Sequence, residues 1–165
     1  MEEKTQANLK LAFQGESEAH FRNRAFAEQA EKEGLPQIAK LFRAMAEAEA
    51  VHSFNILRLR GIVKDTEANL ERAFGTESFA MGTAYPKLIK EAEEEGERTA
   101  ALIFSRSRDV EEMHATLYKK VINDMFSERE PEYQVCTVCG YITDGPAPDQ
   151  CPICQAPSDK FKKIE

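Results

Sequence analysis

The sequence lacks any apolar run long enough to cross a bilayer, and its first residues, MEEKTQANLK, contain no apolar core. A membrane span needs about 20 consecutive apolar residues, and a secretory signal needs a hydrophobic segment near its start. The sequence has fewer basic than acidic residues: it contains 22 lysines and arginines and 29 aspartates and glutamates, for a net charge of −7. An acidic surface repels phosphate backbones. We therefore expect a cytoplasmic protein that binds neither membrane nor nucleic acid.

Cysteine is absent until the last thirty residues, where it occurs as Cys136, Cys139, Cys151 and Cys154. Cytosolic thiols stay reduced, so clustered pairs indicate a metal site rather than disulfides. Two C-x-x-C pairs separated by eleven residues can offer four thiolates to one tetrahedral metal ion. The ligands alone leave zinc and a single iron open. Gly140 predicts close backbone approach or a positive φ after the first pair.

Residues 5–126 are rich in Ala, Glu, Leu, Lys and Arg and contain few breakers, which predicts four helices. The predicted helices span 5–33, 36 to about 61, 66–95 and 98 to about 126. Thr66 is the expected cap of the third helix, and Pro86 should kink or loosen it. Residues 127–133 are predicted to be a linker between a helical domain (1–126) and a cysteine domain (134–165) with little regular structure. Four residues are expected to form an apolar shell around its metal: Tyr133, Tyr141, Ile142 and Phe161.

The four helices fall into two similar halves. The stretch EQAEKEGLPQIAKLF matches KEAEEEGERTAALIF, which places Gly34 over Gly96. Acids and imidazoles recur at nearly the same distances from these glycines, as Glu16 and Glu77, Glu49 and Glu111, and His52 and His114. A repeated helix pair therefore carries the same potential ligands twice.

These residues are predicted to face inward. On the fourth helix Glu111 shares an apolar stripe with His114, whereas Glu112 lies on a polar face. A buried carboxylate is costly unless it is compensated, and cations between four of them would remove the repulsion. Glu and Glu-x-x-His, present twice, are the ligand set of a dimetal site in a four-helix bundle, and mixed carboxylate and imidazole ligands suit iron or manganese. A single Glu or His is more often a solvated or packing residue, so the prediction depends on the two copies in register.

The whole chain resembles rubrerythrin. Its helices resemble the ferritin-like diiron domain of that family, and CTVCGY and CPICQAP followed by Phe161 resemble the family's rubredoxin domain. The resemblance implies an all-α four-helix bundle with a small C-terminal four-cysteine domain, holding a diiron centre and one further iron. It implies a peroxidase that reduces hydrogen peroxide to water with electrons delivered through the four-cysteine iron, in protection against oxidative stress.

The resemblance also implies roles for individual residues. The diiron ligands would be Glu16, Glu49, His52, Glu77, Glu111 and His114, with the second and fifth of these bridging. The two histidines would bind different irons, His52 with Glu16 and His114 with Glu77. Tyr85 matches a tyrosine whose hydrogen bond orients carboxylate ligands. His20 is expected to be a packing or surface residue.

Two positions depart from the family pattern. The glutamate expected three residues after Glu77 is Ala80, and the tyrosine expected seven residues after Glu16 is Asn23. In the family, one iron exchanges that extra glutamate for a histidine as its redox state changes, so His52 is expected to stay bound in both states here. Three functions therefore remain open: the peroxidase, a ferroxidase or iron-handling protein that uses O2, and a non-catalytic metal protein with a zinc tail. The four-cysteine module favours the first, since iron storage needs no electron inlet.

The expected partners are hydrogen peroxide or O2, a redox electron donor protein, and a second copy of the chain in a homodimer. In a ferritin-like topology the connector at residues 61–66 must climb roughly 27 Å, and extended chain of that length reaches at most about 25 Å. This predicts that each bundle combines residues 5–60 of one chain with 67–126 of the other. The four-cysteine tail is expected to serve the bundle of another subunit.

Overall fold

The computed structural model describes residues 1–125 and 129–165, and these residues form two compact units, Met1–Lys64 and Asp65–Glu165. The first unit is a hairpin of two helices, α1 (Glu3–Lys32) and α2 (Pro36–Leu59). Gly34, at φ 74°, makes the turn between them, and Pro36 supplies a fixed φ at the start of α2. The predicted hairpin and its glycine boundary are confirmed.

Alanines form the buried contact between α1 and α2. The buried residues of the two helices are Ala27, Ala30, Ala39 and Ala46. Small side chains let the helices approach closely, and the larger apolar groups lie outside this contact. Phe21, Met45 and Leu59 are 67%, 44% and 62% exposed, respectively. The hairpin therefore presents an apolar face that its own two helices do not bury.

The connector between α2 and the next helix is short, and a hydrogen-bonded helix end lies on each side of it. Gly61 N donates to Arg58 O at 2.9 Å and Ile62 N donates to Leu57 O at 3.1 Å, with Gly61 at φ 64°. This is the hydrogen-bond pattern of a glycine-terminated helix end. The following helix, α3 (Thr66–Phe79), is capped by Asp65, whose carboxylate accepts a hydrogen bond from Ala68 N at 2.9 Å. The prediction that Thr66 is the cap was wrong by one residue, because Asp65 supplies the acceptor.

The predicted third helix is interrupted where expected. A π-helical turn, Ala80–Ala84, separates α3 from α4 (Tyr85–Glu94). Pro86 has no N–H to donate to the preceding turn, so the regular hydrogen-bond pattern cannot continue through it. The last helix, α5 (Arg98–Asn123), follows Gly96 at φ 76°. It ends before the predicted end near residue 126, and the predicted linker boundary at 126–127 lies outside the described residues.

The cysteine-rich segment contains a three-stranded antiparallel sheet in the order β2-β1-β3. The strands are β1 (Tyr133–Cys136), β2 (Ile142–Asp144) and β3 (Phe161–Lys163). In the register, Val135 pairs with Ile142 on one side and with Lys162 on the other. The expectation of little regular structure was wrong, because strands of three or four residues are too short to show periodicity. β1 also begins inside the predicted linker.

The small core of this module surrounds its cysteines. Cys136, Cys151 and Ala156 are buried, and Tyr141 and Phe161 pack against them with an edge-to-face ring contact at 6.4 Å. Two of the four predicted shell residues thus lie in the core. The other two, Tyr133 and Ile142, instead line a cavity against α5.

Within residues 1–125 and 129–165, every helix is too short or too polar to cross a membrane.

Candidate metal centres

The α1/α2 hairpin gathers three predicted ligands at one level. Glu16 on α1 and Glu49 and His52 on α2 offer ligand atoms that all lie within 4.8 Å of one another. His52 Nδ1 is 3.0 Å from Glu49 Oε2 and 3.5 Å from Glu16 Oε2. Hydrogen bonds to Glu16 and then to Glu49 raise the pKa of His52 above its ordinary value. The i,i+3 spacing on α2 thus brings acid and imidazole to one face of the helix.

Polar contacts beside this cluster fix how α1 lies on α2. Ser17 Oγ is 3.4 Å from Ser53 Oγ, and His20 Nδ1 is 2.8 Å from the Ala46 carbonyl oxygen. Because a carbonyl only accepts, His20 donates through Nδ1. That bond engages His20 with the α2 backbone, in agreement with the packing role expected for it.

The second unit forms a matching cluster. Glu77 on α3 and Glu111 and His114 on α5 again offer ligand atoms within 4.8 Å of one another. His114 Nδ1 is 3.0 Å from Glu111 Oε2. Glu112 is exposed, so the choice of Glu111 as the inward glutamate agrees with the geometry. Burial and the neighbouring Glu111 carboxyl raise the pKa of Glu77.

Each cluster offers two carboxylates and one imidazole, which is half of the donor set of a dinuclear centre in a four-helix bundle. Their electrostatics fit a cation. Burial and the facing Glu111 carboxyl both disfavour charge on Glu77 and so raise its pKa. A divalent ion beside these carboxyl groups would favour the charged form of Glu77. Carboxylate oxygen with imidazole nitrogen suits iron.

His114 connects its cluster to the cysteine module of the same chain. Its Nε2 lies 3.0 Å from the carbonyl oxygen of Gly140. Nε2–H must be the donor, so in the neutral ring Nδ1 carries a lone pair directed toward Glu111, as a metal ligand requires. Gly140 has φ 86°, and a Cβ at this position would lie 3.8 Å from Val110 Cγ1. The predicted positive φ at Gly140 is confirmed.

This contact corrects the premise of one expectation. The tail was expected to serve the bundle of another subunit because its linker starts at the end of the fourth helix, half a bundle away from the metal ligands of its own chain. That premise was wrong, because the module's Gly140 touches His114 of the same chain. Service to another subunit's bundle remains a prediction.

The four thiols converge on one point. Cys136 Sγ is 3.7 Å from Cys154 Sγ, and Cys139 Sγ is 3.6 Å from Cys151 Sγ. A tetrahedral ion with metal–sulfur bonds of about 2.3 Å would set its sulfurs roughly 3.8 Å apart. All four cysteines are free thiols. The spacing therefore fits a mononuclear site closely.

Each C-x-x-C pair closes the same turn. Gly140 N donates to Cys136 O and Gln155 N donates to Cys151 O, both at 2.9 Å. Gly140 and Gln155 follow the second cysteine of their pairs, and both have positive φ. These turns also affect the sulfurs. Burial raises the pKa of Cys136, but the amide hydrogen bonds from residues 138 and 139 and the neighbouring thiols of Cys154 and Cys139 together lower it overall. Burial raises the pKa of Cys139 and Cys154, so a bound cation is what would hold these two as thiolates.

Comparison with known proteins agrees with this geometry. The family model described as rubrerythrin matches residues 7–122, and the model described as the rubredoxin-like domain of rubrerythrin matches residues 134–162. Nigerythrin from Nitratidesulfovibrio vulgaris is 36% identical over 95% of this chain and 85% of its own length. Rubrerythrin from Porphyromonas gingivalis is 34% identical over 98% of this chain and 90% of its own length.

The chain belongs to the rubrerythrin family. Solved structures agree: nigerythrin in a mixed-valent state superposes with a TM-score of 0.60 at 34% identity, over 97% of this chain and 86% of that one. The fully reduced, all-ferrous nigerythrin gives the same TM-score at 33% identity. As a rubrerythrin-family protein the chain has a ferritin-like diiron fold with a C-terminal four-cysteine iron domain. Its relatives associate it with peroxide and oxidative-stress defence.

The remaining predicted site residues are placed as follows. Tyr85 begins α4, and its ring lies 6.4 Å from that of Phe104. Ala80 is the first residue of the π-helical turn. The ligand role of each glutamate and histidine, and the orienting role of Tyr85, remain predictions. Sequence reasoning missed the Gly140 carbonyl as a partner of His114, because a backbone acceptor leaves no trace in residue identity.

Proposed function

We propose that this rubrerythrin-family protein is a non-haem diiron peroxidase, reducing hydrogen peroxide to water with electrons that enter through the four-cysteine iron. The proposed ligands of the two bundle irons are Glu16, Glu49, His52, Glu77, Glu111 and His114. Glu49 and Glu111 would bridge, as the family resemblance implies, and each lies 3.0 Å from the histidine one turn further along its own helix. The four cysteines would hold the third iron.

One observation carries the peroxidase assignment. The hydrogen bond from His114 Nε2 to Gly140 O joins the two sites by a single contact of 3.0 Å. Gly140 directly follows Cys139, and His114 directly faces Glu111. Electron transfer weakens steeply with distance, so this contact supports an electron path from the cysteine site to the bundle site. Neither iron storage nor passive metal binding needs such a path.

The chemistry requires two electrons and two protons for each peroxide reduced to two waters, and the iron pair supplies both electrons when both ions are ferrous. The protein's part is to hold the two irons and to orient their ligands. His114 keeps its Nε2 proton in the bond to Gly140, which fixes the ring and leaves Nδ1 free for ligation. The glutamates can bind through one oxygen or two, which accommodates the change in charge between oxidation states.

A ferroxidase that uses O2 is the second candidate, and Ala80 favours it. The family's movable iron depends on a carboxylate at this position, and a methyl group cannot ligate. His52 would then bind its iron in both redox states. With one fewer carboxylate, the site would lose the ligand exchange that accompanies peroxide reduction in the family.

Stopped-flow oxidation of the fully reduced protein separates the two candidates. Anaerobic all-ferrous protein is mixed with hydrogen peroxide or with an equal concentration of O2, and the ferric absorbance of the bundle site is followed. The peroxidase proposal predicts faster oxidation by peroxide. Faster oxidation by O2 would reject it in favour of the ferroxidase. The variant Ala80→Glu is the matched comparison, since it restores the family's carboxylate and should raise the preference for peroxide.

We further propose that the active protein is a homodimer with exchanged helices, in which residues 5–60 of one chain and 67–126 of the other form each bundle. Each helical unit contains only three of the six ligands. On α2, the face that carries His52 also carries Leu59, which is 62% exposed. A second copy supplies the complementary ligands and apolar face.

The connector supports this arrangement. In a ferritin-like bundle the second and third helices run parallel, so a connector within one bundle would return along its length. From His52 to Leu59 the chain descends about 10 Å, and from Thr66 to Glu77 it needs about 16 Å, at 1.5 Å per residue. The chain is still wound at Gly61, so residues 59–61 add little length along the bundle axis. The five Cα–Cα steps from Gly61 to Thr66 span at most about 18 Å. Closing a bundle within one chain thus falls short by roughly 8 Å.

Lengthening the connector tests the exchange. Eight Gly/Ser residues inserted between Val63 and Lys64 add up to about 28 Å of reach. Refolded at low concentration with iron, this variant should give iron-loaded monomers, whereas the wild type should give dimers. The same insertion between Gly96 and Glu97, where the chain only turns between antiparallel helices, should leave the dimer intact. A wild-type monomer that holds two bundle irons would refute the exchange.

A further inference from the structure

The cysteine module is attached to α5 at a second point, independent of His114. Asp144, at the end of β2, accepts a hydrogen bond from Lys120 Nζ at 3.1 Å. It also receives Arg129 through two contacts, Nη1 to Oδ2 at 2.6 Å and Nη2 to Oδ1 at 2.5 Å. The Asp144 side chain is only 10% exposed, whereas Lys120 and Arg129 are each 54% exposed. One nearly buried carboxylate therefore binds two basic side chains, Lys120 from α5 and Arg129 from the segment that precedes β1.

The two attachment points lie near the two ends of β2. His114 and Lys120 are six residues apart on α5, a rise of about 9 Å. In the module, Gly140 lies two residues before β2 and Asp144 is its last residue. The strand is thus held to the helix at both ends, by the Gly140 carbonyl at one and by the Asp144 carboxylate at the other. Two points fix a direction, which a single hydrogen bond cannot do.

Packing between the module and the helices is incomplete around these contacts. A cavity of about 530 Å³ lies against α3 and α5, with Tyr118, Val121, Tyr133 and Ile142 among its lining residues. A second cavity of about 370 Å³ adjoins Asp144 itself. Both cavities are open to solvent, so they leave part of the boundary between the module and the helices without packing contact. Directional charged hydrogen bonds such as those of Asp144 can fix an orientation at such a boundary.

We propose that Asp144 is a positioning residue for electron delivery, because its pair with Lys120 holds the module with the Gly140 carbonyl against His114. The inference rests on the proposed direction of electron flow, from the cysteine site to the bundle site. Each transfer oxidises the cysteine site by one electron and reduces the bundle site by one, and no bond is made or broken. The guanidinium of Arg129 and the ammonium of Lys120 hold the pKa of Asp144 well below its usual range, so the carboxylate stays charged at neutral pH.

The test measures intramolecular transfer without peroxide. Oxidised holoprotein is reduced at the cysteine site by a flash-generated reductant, and the loss of the resulting ferrous signal to the bundle site is timed. Asp144→Asn and Lys120→Met should each slow the transfer by roughly 1.5-fold to fivefold, the range expected for a partly exposed ion pair. Lys120→Arg, which keeps the charge, should transfer close to the wild-type rate. Because no oxidant is used, the result stands even if the proposed peroxidase activity fails.

The controls distinguish positioning from damage. Asp159 is an exposed aspartate in the same module that pairs with Lys160 at 3.3 Å, so Asp159→Asn makes the same chemical change away from α5 and should have no effect. Iron content, the visible spectrum of the cysteine site, and single-turnover oxidation of the reduced bundle site should be unchanged in every variant. Wild-type transfer in Lys120→Met would overturn the proposal even if Asp144→Asn were slow, since the latter also removes the Arg129 pair. Equal slowing in Asp159→Asn would overturn it too.

Discussion

Complementation between two inactive variants gives a quantitative test of helix exchange. One variant carries Glu49→Ala and His52→Ala, which disable the α1/α2 ligands. The other carries Glu111→Ala and His114→Ala, which disable the ligands of α3 and α5. Every bundle of either homodimer lacks two ligands, so neither variant alone should hold a diiron centre.

In an exchanged heterodimer the two defects meet in one bundle and the other bundle receives six intact ligands. Random pairing after joint unfolding and refolding makes about half of the dimers heterodimers. One bundle in two is intact in each of these, so about a quarter of all bundles should regain the diiron centre. Dimers without exchange would carry one defect in every bundle and regain none.

The assay measures bundle iron, ferric absorbance and peroxide turnover for the co-refolded mixture, for each variant refolded alone, and for the two mixed without unfolding. Only the co-refolded sample should recover, to about 25% of the wild-type value on the pairing argument above. Intact mass of the native dimers verifies that heterodimers formed. Heterodimers present without recovered diiron sites would refute both the exchange and the connector argument behind it.

Three further outcomes are expected. Glu111→Ala should remove one or both bundle irons while Glu112→Ala retains both, because only Glu111 belongs to the ligand cluster; equal iron in the two variants by metal analysis would contradict the inward assignment. Structures of oxidised and reduced protein should both show His52 bound, since Ala80 offers no replacement; an iron displaced by more than about an ångström toward another ligand would contradict this. The Asp144 ion pairs should contribute their full stability above the ordinary aspartate pKa of 3.8 and lose that contribution as the pH falls toward the lower folded value; the unfolding free energy of Asp144→Asn should lack this part of the acid dependence.

The grouping of the predicted ligands into two clusters was predictable because it depends on local periodicity. Glu111 and His114 are one turn apart on α5, and their match to Glu49 and His52 fixes the inward face without any tertiary information. The helix ends marked by Gly34, Gly61 and Gly96 were equally readable, since each of these glycines adopts a positive φ that other residues avoid.

What sequence could not supply were the contacts between distant segments. The strands of the cysteine module are too short for an alternating pattern, and their pairing joins β1 to β3 across more than twenty residues. The bond from His114 to Gly140 uses a backbone oxygen, and that from Lys120 to Asp144 joins two ordinary charged residues among many. Because these contacts were invisible, the module was expected to reach another subunit rather than its own α5.

The proposed electron path runs from the reduced cysteine site to the oxidised bundle site, and one measurement tests it directly. Anaerobic, fully reduced protein is mixed in a stopped-flow instrument with a slight excess of hydrogen peroxide, and the visible colour of the ferric four-cysteine site is followed. The comparison is a variant with Glu16→Ala and Glu77→Ala, which weakens iron binding in the bundle and leaves all four cysteines in place. In the wild type the colour should appear rapidly after bundle oxidation, and in the variant it should appear slowly. Equal rates in the two proteins would mean that peroxide oxidises the cysteine site directly, and would refute electron transfer through the bundle site.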